Sequence, residues 1–328
     1  MNETFLKDKN KIGLKHALII DGNGGAKEVR LEDYNKKMGL LWLHFDYSKE
    51  DSIEWITNKS NIDSLAVDAL LTEETRPRTI ILEDSILLAL RGVNLNPNSD
   101  PEDMISIRLF INEDIIISTK KRDLLSVKDI IDAFRLNKGP KDSSEFIVSL
   151  TDNLTSRMEN TISEMEEKSS NLEELMIESN NFEVRTEIST IRKEAITLRR
   201  YLSPQKDAIS RLYHEKIFWI DDYKKNQLRE INDQVIRYIE ELDSIKDRVT
   251  LIQEELSNKL NEQMNLRMYV LSVISAIFLP IGFLTGLLGI NIGGIPGSEN
   301  KDAFLIFIVF LIFIVSAQLY IFKKKKWI

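Results

Sequence analysis

The chain has 328 residues, with 52 acidic against 44 basic side chains, a formal net charge of −8 and no cysteine. This balance argues against a nucleic-acid surface, which needs a clustered basic face to neutralise phosphates. The lack of cysteine excludes disulfides, thiolate nucleophiles and thiolate metal sites.

Residues 1–11 lack the apolar core of a secretory signal, so membrane insertion is expected to depend on apolar segments further along. Over residues 1–140, short β-type runs alternate with helical ones. Residues 17–20, 40–45, 79–82, 105–111 and 114–118 read as strands, with Asn112 and Glu113 forming a tight turn between the last two. Residues 52–57, 64–71 and 126–136 read as helices. The mixture predicts an α+β (α/β/α) cytoplasmic domain with mixed strand pairing. The glycine-containing stretch Asp21-Gly22-Asn23-Gly24-Gly25 is followed by neither GK[ST] nor GxGxxG, so it is expected to be an ordinary turn.

From residue 141 strand signals vanish and charged helical sequence takes over. Residues 143–181 and 185–202 predict an antiparallel pair of cytoplasmic helices, the segment 141–204 ending at Ser203 and Pro204. Serine is a natural N-cap and proline a natural first helical residue, so a long stalk helix is expected over 205–267. Along it Leu228, Ile231, Val235, Tyr238, Leu242, Ile245, Val249, Ile252 and Leu256 recur at steps of three and four. Such a series makes a coiled-coil or long-bundle seam, packed on the preceding helices or on neighbouring subunits.

Apolarity is concentrated near the C-terminus. A helix needs about 20 apolar residues to cross a bilayer, and two segments qualify: 268–291, the first transmembrane helix, and 303–322, the second. Residues 292–302 form a short outer loop and 323–328 a basic tail. Arg267 precedes the first span and Lys323, Lys324, Lys325 and Lys326 follow the second. By the positive-inside rule both termini are cytoplasmic, in a multi-pass protein of the plasma (inner) membrane. Tyr320 and Trp327 are expected to anchor at the inner interface.

A second line of residues runs along the long helix on another face. It comprises Gly286, Gly282, Leu279, Ser275, Ser272, Met268, Asn265, Asn261, Asn258, Glu254, Leu251, Asp247, Ser244 and Glu240, small, polar or acidic at most positions. Within the span it offers hydroxyls and bare backbone; below the span it offers amides and then carboxylates. In this span Pro280 removes one amide and leaves the carbonyl of Ala276 without its helical partner, which protein or water must replace. A water-filled axis would do so. Two spans from one chain cannot enclose such an axis, so a pore requires several copies, with first spans inside and second spans facing lipid.

At the outer end of the first span stand Gly289, Ile290 and Asn291. A Gly-x-Asn tripeptide between two C-terminal spans is the signature of the CorA superfamily of divalent-cation transport proteins, which this chain resembles along essentially its whole length. Residues 264–297 are similar to the zinc-transporting ZntB branch, as are Trp42-Leu43-His44, Glu74-Thr75-Arg76-Pro77-Arg78 and Arg199-Arg200-Tyr201-Leu202-Ser203-Pro204-Gln205. The magnesium branch has Tyr-Gly-Met-Asn and an outer loop beginning Met-Pro-Glu. This chain has Leu288-Gly289-Ile290-Asn291 and Gly293-Gly294-Ile295-Pro296-Gly297, departures that favour the zinc branch.

The resemblance implies a funnel-shaped homopentamer in the lipid bilayer, a selectivity filter at Gly289, Ile290 and Asn291, and a pore lined by Asn265, Met268, Leu279, Gly282 and Gly286. Ser272 and Ser275 join these from the polar stripe, and Glu240, Asp247 and Glu254 are the cation-attracting residues of the stalk. Leu279 and Met268 are also candidate apolar constrictions. The expected cargo is a divalent cation, zinc first, with no resident cofactor and no nucleic-acid partner. Zinc sites prefer thiolate and imidazole, yet the only histidines are His16, His44 and His214, none in ligand spacing. Passage of a hydrated ion is therefore expected. The alternatives are a magnesium, cobalt or nickel channel of CorA type and a non-conducting, membrane-tethered coiled-coil scaffold or sensor. No nucleophile–base set or nucleotide loop points to an enzyme.

Overall fold

A computed structural model describes residues 13–73, 76–178, 181–289, 297 and 300–325. The chain divides into two compact units, Met1–Gln253 and Glu254–Ile328.

The first unit is built on a seven-stranded sheet of order β2-β1-β3-β7-β6-β5-β4. The strands are β1 (Leu14–Ile20), β2 (Ala26–Glu28), β3 (Leu40–Asp46), β4 (Arg78–Ile81), β5 (Ile86–Gly92), β6 (Ile105–Ile111) and β7 (Ile115–Lys120). Only β3 and β7 pair in parallel; the other neighbours are antiparallel, so the pairing is mixed as expected. Every residue of β3 is buried, because helices cover both sheet faces. This explains its near-continuous apolar run where a half-exposed strand would alternate.

On one face Leu41, Leu43 and Phe45 form a core with Ile56 of α1 (Glu50–Asn58) and with Ala66 and Leu70 of α2 (Ser64–Leu71). On the other face the ring of Trp42 lies 6.2 Å from Phe134 of α3 (Leu125–Arg135) and 4.9 Å, edge-on, from Phe146 of α4 (Ser143–Ser156). The result is the expected α/β/α layering.

Two turns were legible from local chemistry. The carboxylate of Asp21 accepts the amides of Asn23 at 2.7 Å and Gly25 at 2.9 Å, while Gly22 and Gly24 take positive φ of 74° and 95°. Asp21–Gly25 is thus a self-contained turn, its acidic group occupied by its own loop. Asn112 closes the β6–β7 hairpin by accepting from Asp114 and Ile115.

The helical part of this unit departs from the expected break at Ser203. After α5 (Met158–Glu178), helix α6 runs from Asn181 to His214 with Pro204 inside it. An internal proline destabilises a helix by about 3 kcal/mol, and three bonds to the sheet hold the helix around it. Gln205 accepts the amide of Arg91 at 2.8 Å, Ala208 accepts the hydroxyl of Thr79 at 2.6 Å, and Arg211 donates to the Thr79 carbonyl at 2.9 Å. The break comes instead just before α7 (Asp222–Leu288), where Asp221 caps the new helix by accepting the amide of Lys224 at 2.7 Å. The seam of α7 is buried throughout the first unit, from Leu228 to Ile252, within the single chain. Arg192 of α6 and Arg248 of α7 add polar ties, to Gln253 and Ser170.

Register, not spacing, brings two histidines together. His16 and His44 are cross-strand partners on β1 and β3, their rings stacked 6.0 Å apart. His44 is buried, and its Nδ1 shares a 2.7 Å hydrogen bond with the Ser118 hydroxyl, which also accepts from Trp42 Nε1 at 2.9 Å. Burial, reinforced by His16, Lys120 and Lys15, holds the His44 pKa well below the ordinary 6.5. The unfolded chain therefore binds the extra proton. Stability is full above pH ~6.5 and is lost as pH falls from there toward the folded-state pKa. In detergent-solubilised protein, Tm is expected to fall between pH 7.5 and 5.5, and His44→Gln is expected to flatten that slope. A slope identical in the two proteins would assign it to other groups.

The second unit contains the C-terminal part of α7 and α8 (Ala303–Lys324), both long and apolar enough to cross a membrane by length and composition.

Candidate functional site

The structure sorts the residues of α7 by exposure. Glu240 and Asp247 in the first unit, and Glu254, Asn265, Ser272, Ser275, Gly282 and Gly286 in the second, are all exposed on the single chain. Met268 and Leu279 are 62% and 72% exposed, large apolar side chains left uncovered by their own chain. Gly289, also exposed, closes the helix by donating its amide to the Thr285 carbonyl at 2.9 Å. Ile290 and Asn291, the other two expected filter residues, lie outside the described residues.

A different face of α7 is partly covered: Val273, Ala276, Ile277, Pro280, Ile281 and Leu284, at helical spacing. From α8 the amide of Gln318 donates to the Ala276 carbonyl at 3.3 Å, which places α8 along this covered stripe. The polar and small stripe therefore points away from α8. The same bond corrects one expectation. The carbonyl orphaned by Pro280 is satisfied by protein, through Gln318, and does not itself require a water-filled axis. The signal for it in the sequence is an amide, Gln318, standing in a largely apolar span.

The chemistry of the stripe is oxygen chemistry. The Ser272 hydroxyl donates back to the Met268 carbonyl at 2.8 Å, and that of Thr285 to Ile281 at 2.9 Å. With their protons committed to the helix, these hydroxyls turn lone pairs outward, suited to a cation or its water shell. Asp247 lies 3.2 Å from Lys246, an exposed pair worth little by itself.

No group of three or more metal-ligating side chains occurs among the described residues. His44 is committed to Ser118, and His214 Nδ1 lies 2.9 Å from the Ser210 carbonyl one turn back in its own helix.

The family model described as "CorA-like Mg2+ transporter protein" matches residues 37–324. This chain belongs to the CorA family. Within it, the chain is 35% identical over 322 residues to the zinc transport protein ZntB of Pectobacterium carotovorum subsp. carotovorum (strain PC1), covering 98% of each. It is 35% identical to the divalent cation transporter CmaX of Pseudomonas aeruginosa, covering 96% of this chain and 97% of that protein. The solved structure of full-length CmaX superposes with a TM-score of 0.84 at 34% identity, covering 97% of this chain and 99% of that chain. These full-length relatives place the chain in the ZntB branch of the CorA superfamily.

The glycines of the CorA-family stripe are open within the chain, for a Cβ added at Gly282 or Gly286 would meet nothing within 4 Å. Gly282→Ala and Gly286→Ala are accordingly expected to change stability by less than about 0.5 kcal/mol, read as an unchanged Tm in detergent. A marked fall would reveal a second surface packed on these glycines.

Proposed function

We propose that this protein moves divalent cations across the plasma membrane, zinc being the expected cargo, as a homopentamer whose α7 helices line the axis. The observation that carries the reading is the exposure of Asn265, Met268, Ser272, Ser275, Leu279, Gly282 and Gly286 on the face of α7 turned away from α8. It is supported by the full-length relatives named for zinc and divalent-cation transport.

The mechanism follows from weak, oxygen-only contacts. A stripe of amides and hydroxyls can hydrogen-bond a cation's water shell without stripping it, and conduction needs entry to be favourable and release easy. Glu240, Asp247 and Glu254 add negative charge on the stalk side. With both termini cytoplasmic, an inside-negative potential favours inward movement by about 2.3 kcal/mol per elementary charge per 100 mV, twice that for a divalent ion. Gly289, Ile290 and Asn291 form the outer filter, where the Asn291 amides would ring the entrance. Met268 and Leu279 serve as apolar constrictions that close by excluding water. A second reading, magnesium or another hard cation, is favoured by the donor set, since oxygen ligands suit hard ions and zinc prefers nitrogen and sulfur.

Purified protein in liposomes carrying zinc- or magnesium-sensitive dyes, with and without a pH gradient, tests the proposal. Zinc entry is expected to exceed magnesium entry, and Asn291→Ala to reduce it at least tenfold. Flux unaffected by Asn291→Ala would remove the filter role, and no flux of any ion would favour a non-conducting scaffold. Leu279→Ser is expected to raise basal flux, because a hydroxyl wets the constriction; unchanged flux would make Leu279 a packing residue.

A further inference from the structure

In hydrocarbon every backbone carbonyl needs a partner, and Pro280 deprives Ala276 of the amide that would normally bond it. The replacement donor is the side chain of Gln318, 3.3 Å away on the other span. In the apolar sequence of α8 only Ser316, Gln318 and Tyr320 carry polar side-chain atoms before the terminal lysines. Gln318 is half-buried, and its Oε1 is buried with no hydrogen-bond partner among the described residues. Such an amide is expensive in lipid, so its retention needs a reason that packing alone does not supply. Leu279, next to Pro280, is among the most exposed apolar side chains of α7. The break in the helix ladder therefore sits directly behind a candidate constriction.

We infer that Gln318 is a positioning residue for transport: it clamps the gap in α7 at Pro280 and so keeps Leu279 in place and the carbonyl of Ala276 dry. This inference rests on the reading of α7 as the pore helix. Without the clamp, the carbonyl can be satisfied only by water. Water drawn to the level of Leu279 opposes closure by dewetting, so basal flux rises. The clamp also makes α8, the helix facing lipid, a mechanical partner of the pore wall.

The test is a double-mutant cycle. Gln318→Met keeps length and volume but removes the donor, and Pro280→Ala restores the backbone amide so that Ala276 no longer needs Gln318. Basal zinc and magnesium flux into liposomes is expected to rise at least fivefold for Gln318→Met, and to change less than twofold when Gln318→Met is added to Pro280→Ala. Equal changes in both backgrounds, a fall, or no change would overturn the clamp. Thermal unfolding of the detergent-solubilised proteins runs the same cycle without transport. Gln318→Met is expected to lower Tm with Pro280 present and to leave it unaltered in the Pro280→Ala background. Wild type that carries no ion but keeps this thermal coupling would sink the pore reading and leave the clamp standing. Absence of coupling in Tm would sink the clamp itself. Should Gln318→Met fail to fold, Gln318→Asn, which stays polar but is one methylene too short to reach, takes its place with the same expectations.

Discussion

The constraint on which the rest depends is the change of surroundings along α7. Up to Leu256 its seam is buried, every third or fourth residue covered by protein. From Ser257 to Leu288 no residue of α7 is buried. Leu266, Leu271, Phe278, Phe283 and Leu287 are all exposed there. A soluble protein does not leave so continuous an apolar surface open to water, so lipid and further copies of the chain must cover it. Two stripes differ within this stretch: the one along α8 is partly covered within the chain, and the one carrying Ser272, Ser275, Gly282 and Gly286 is exposed.

Much of this was legible because local chemistry and burial agree. The two spans are read from length and apolarity, the hairpin from Asn112, and the seam of α7 from its spacing. The sequence left open whether the seam met other subunits or the chain's own helices; burial within one chain decides for the latter as far as Ile252. Strand β5 escaped detection because Ile86–Gly92 is a short apolar run, which periodicity cannot distinguish from a buried helix segment. Strand β2 has only 3 residues, too few for any pattern. The expected filter rests on the tripeptide Gly289, Ile290 and Asn291 alone, and of these only Gly289 has a described placement. The neighbouring pair His16 and His44 could not be found by spacing, because it is made by antiparallel register between two strands.

The two internal prolines show why the same residue carries different meaning in different surroundings. Ser203 and Pro204 have the form of a helix start, yet α6 passes through them. There the lost amide is outweighed by bonds that tie Gln205, Ala208 and Arg211 to Arg91 and Thr79 of the sheet, contacts between residues more than a hundred positions apart that no local pattern reveals. The true start of α7 carries a cap of the same quality, Asp221, which the proline signal overshadowed. Pro204 is thus a feature of folding in water, where a freed carbonyl also has solvent to turn to.

Pro280 has no such recourse. At its depth a freed carbonyl must be bonded by protein or must admit water, and the structure supplies one donor, Gln318. An amide is suited to this place for the reason that makes it costly elsewhere in the span. Its donor can bond a carbonyl on the neighbouring helix, and it carries no charge to compete with a passing cation. A lysine there would donate equally well but would bring a charge into the span, and a serine would be too short to reach between helices. The neutrality of the stripe follows the same logic. Hydroxyls whose protons are committed to the helix present lone pairs without net charge. Along this line carboxylates occur only at Glu240, Asp247 and Glu254, outside the span, where water competes for them.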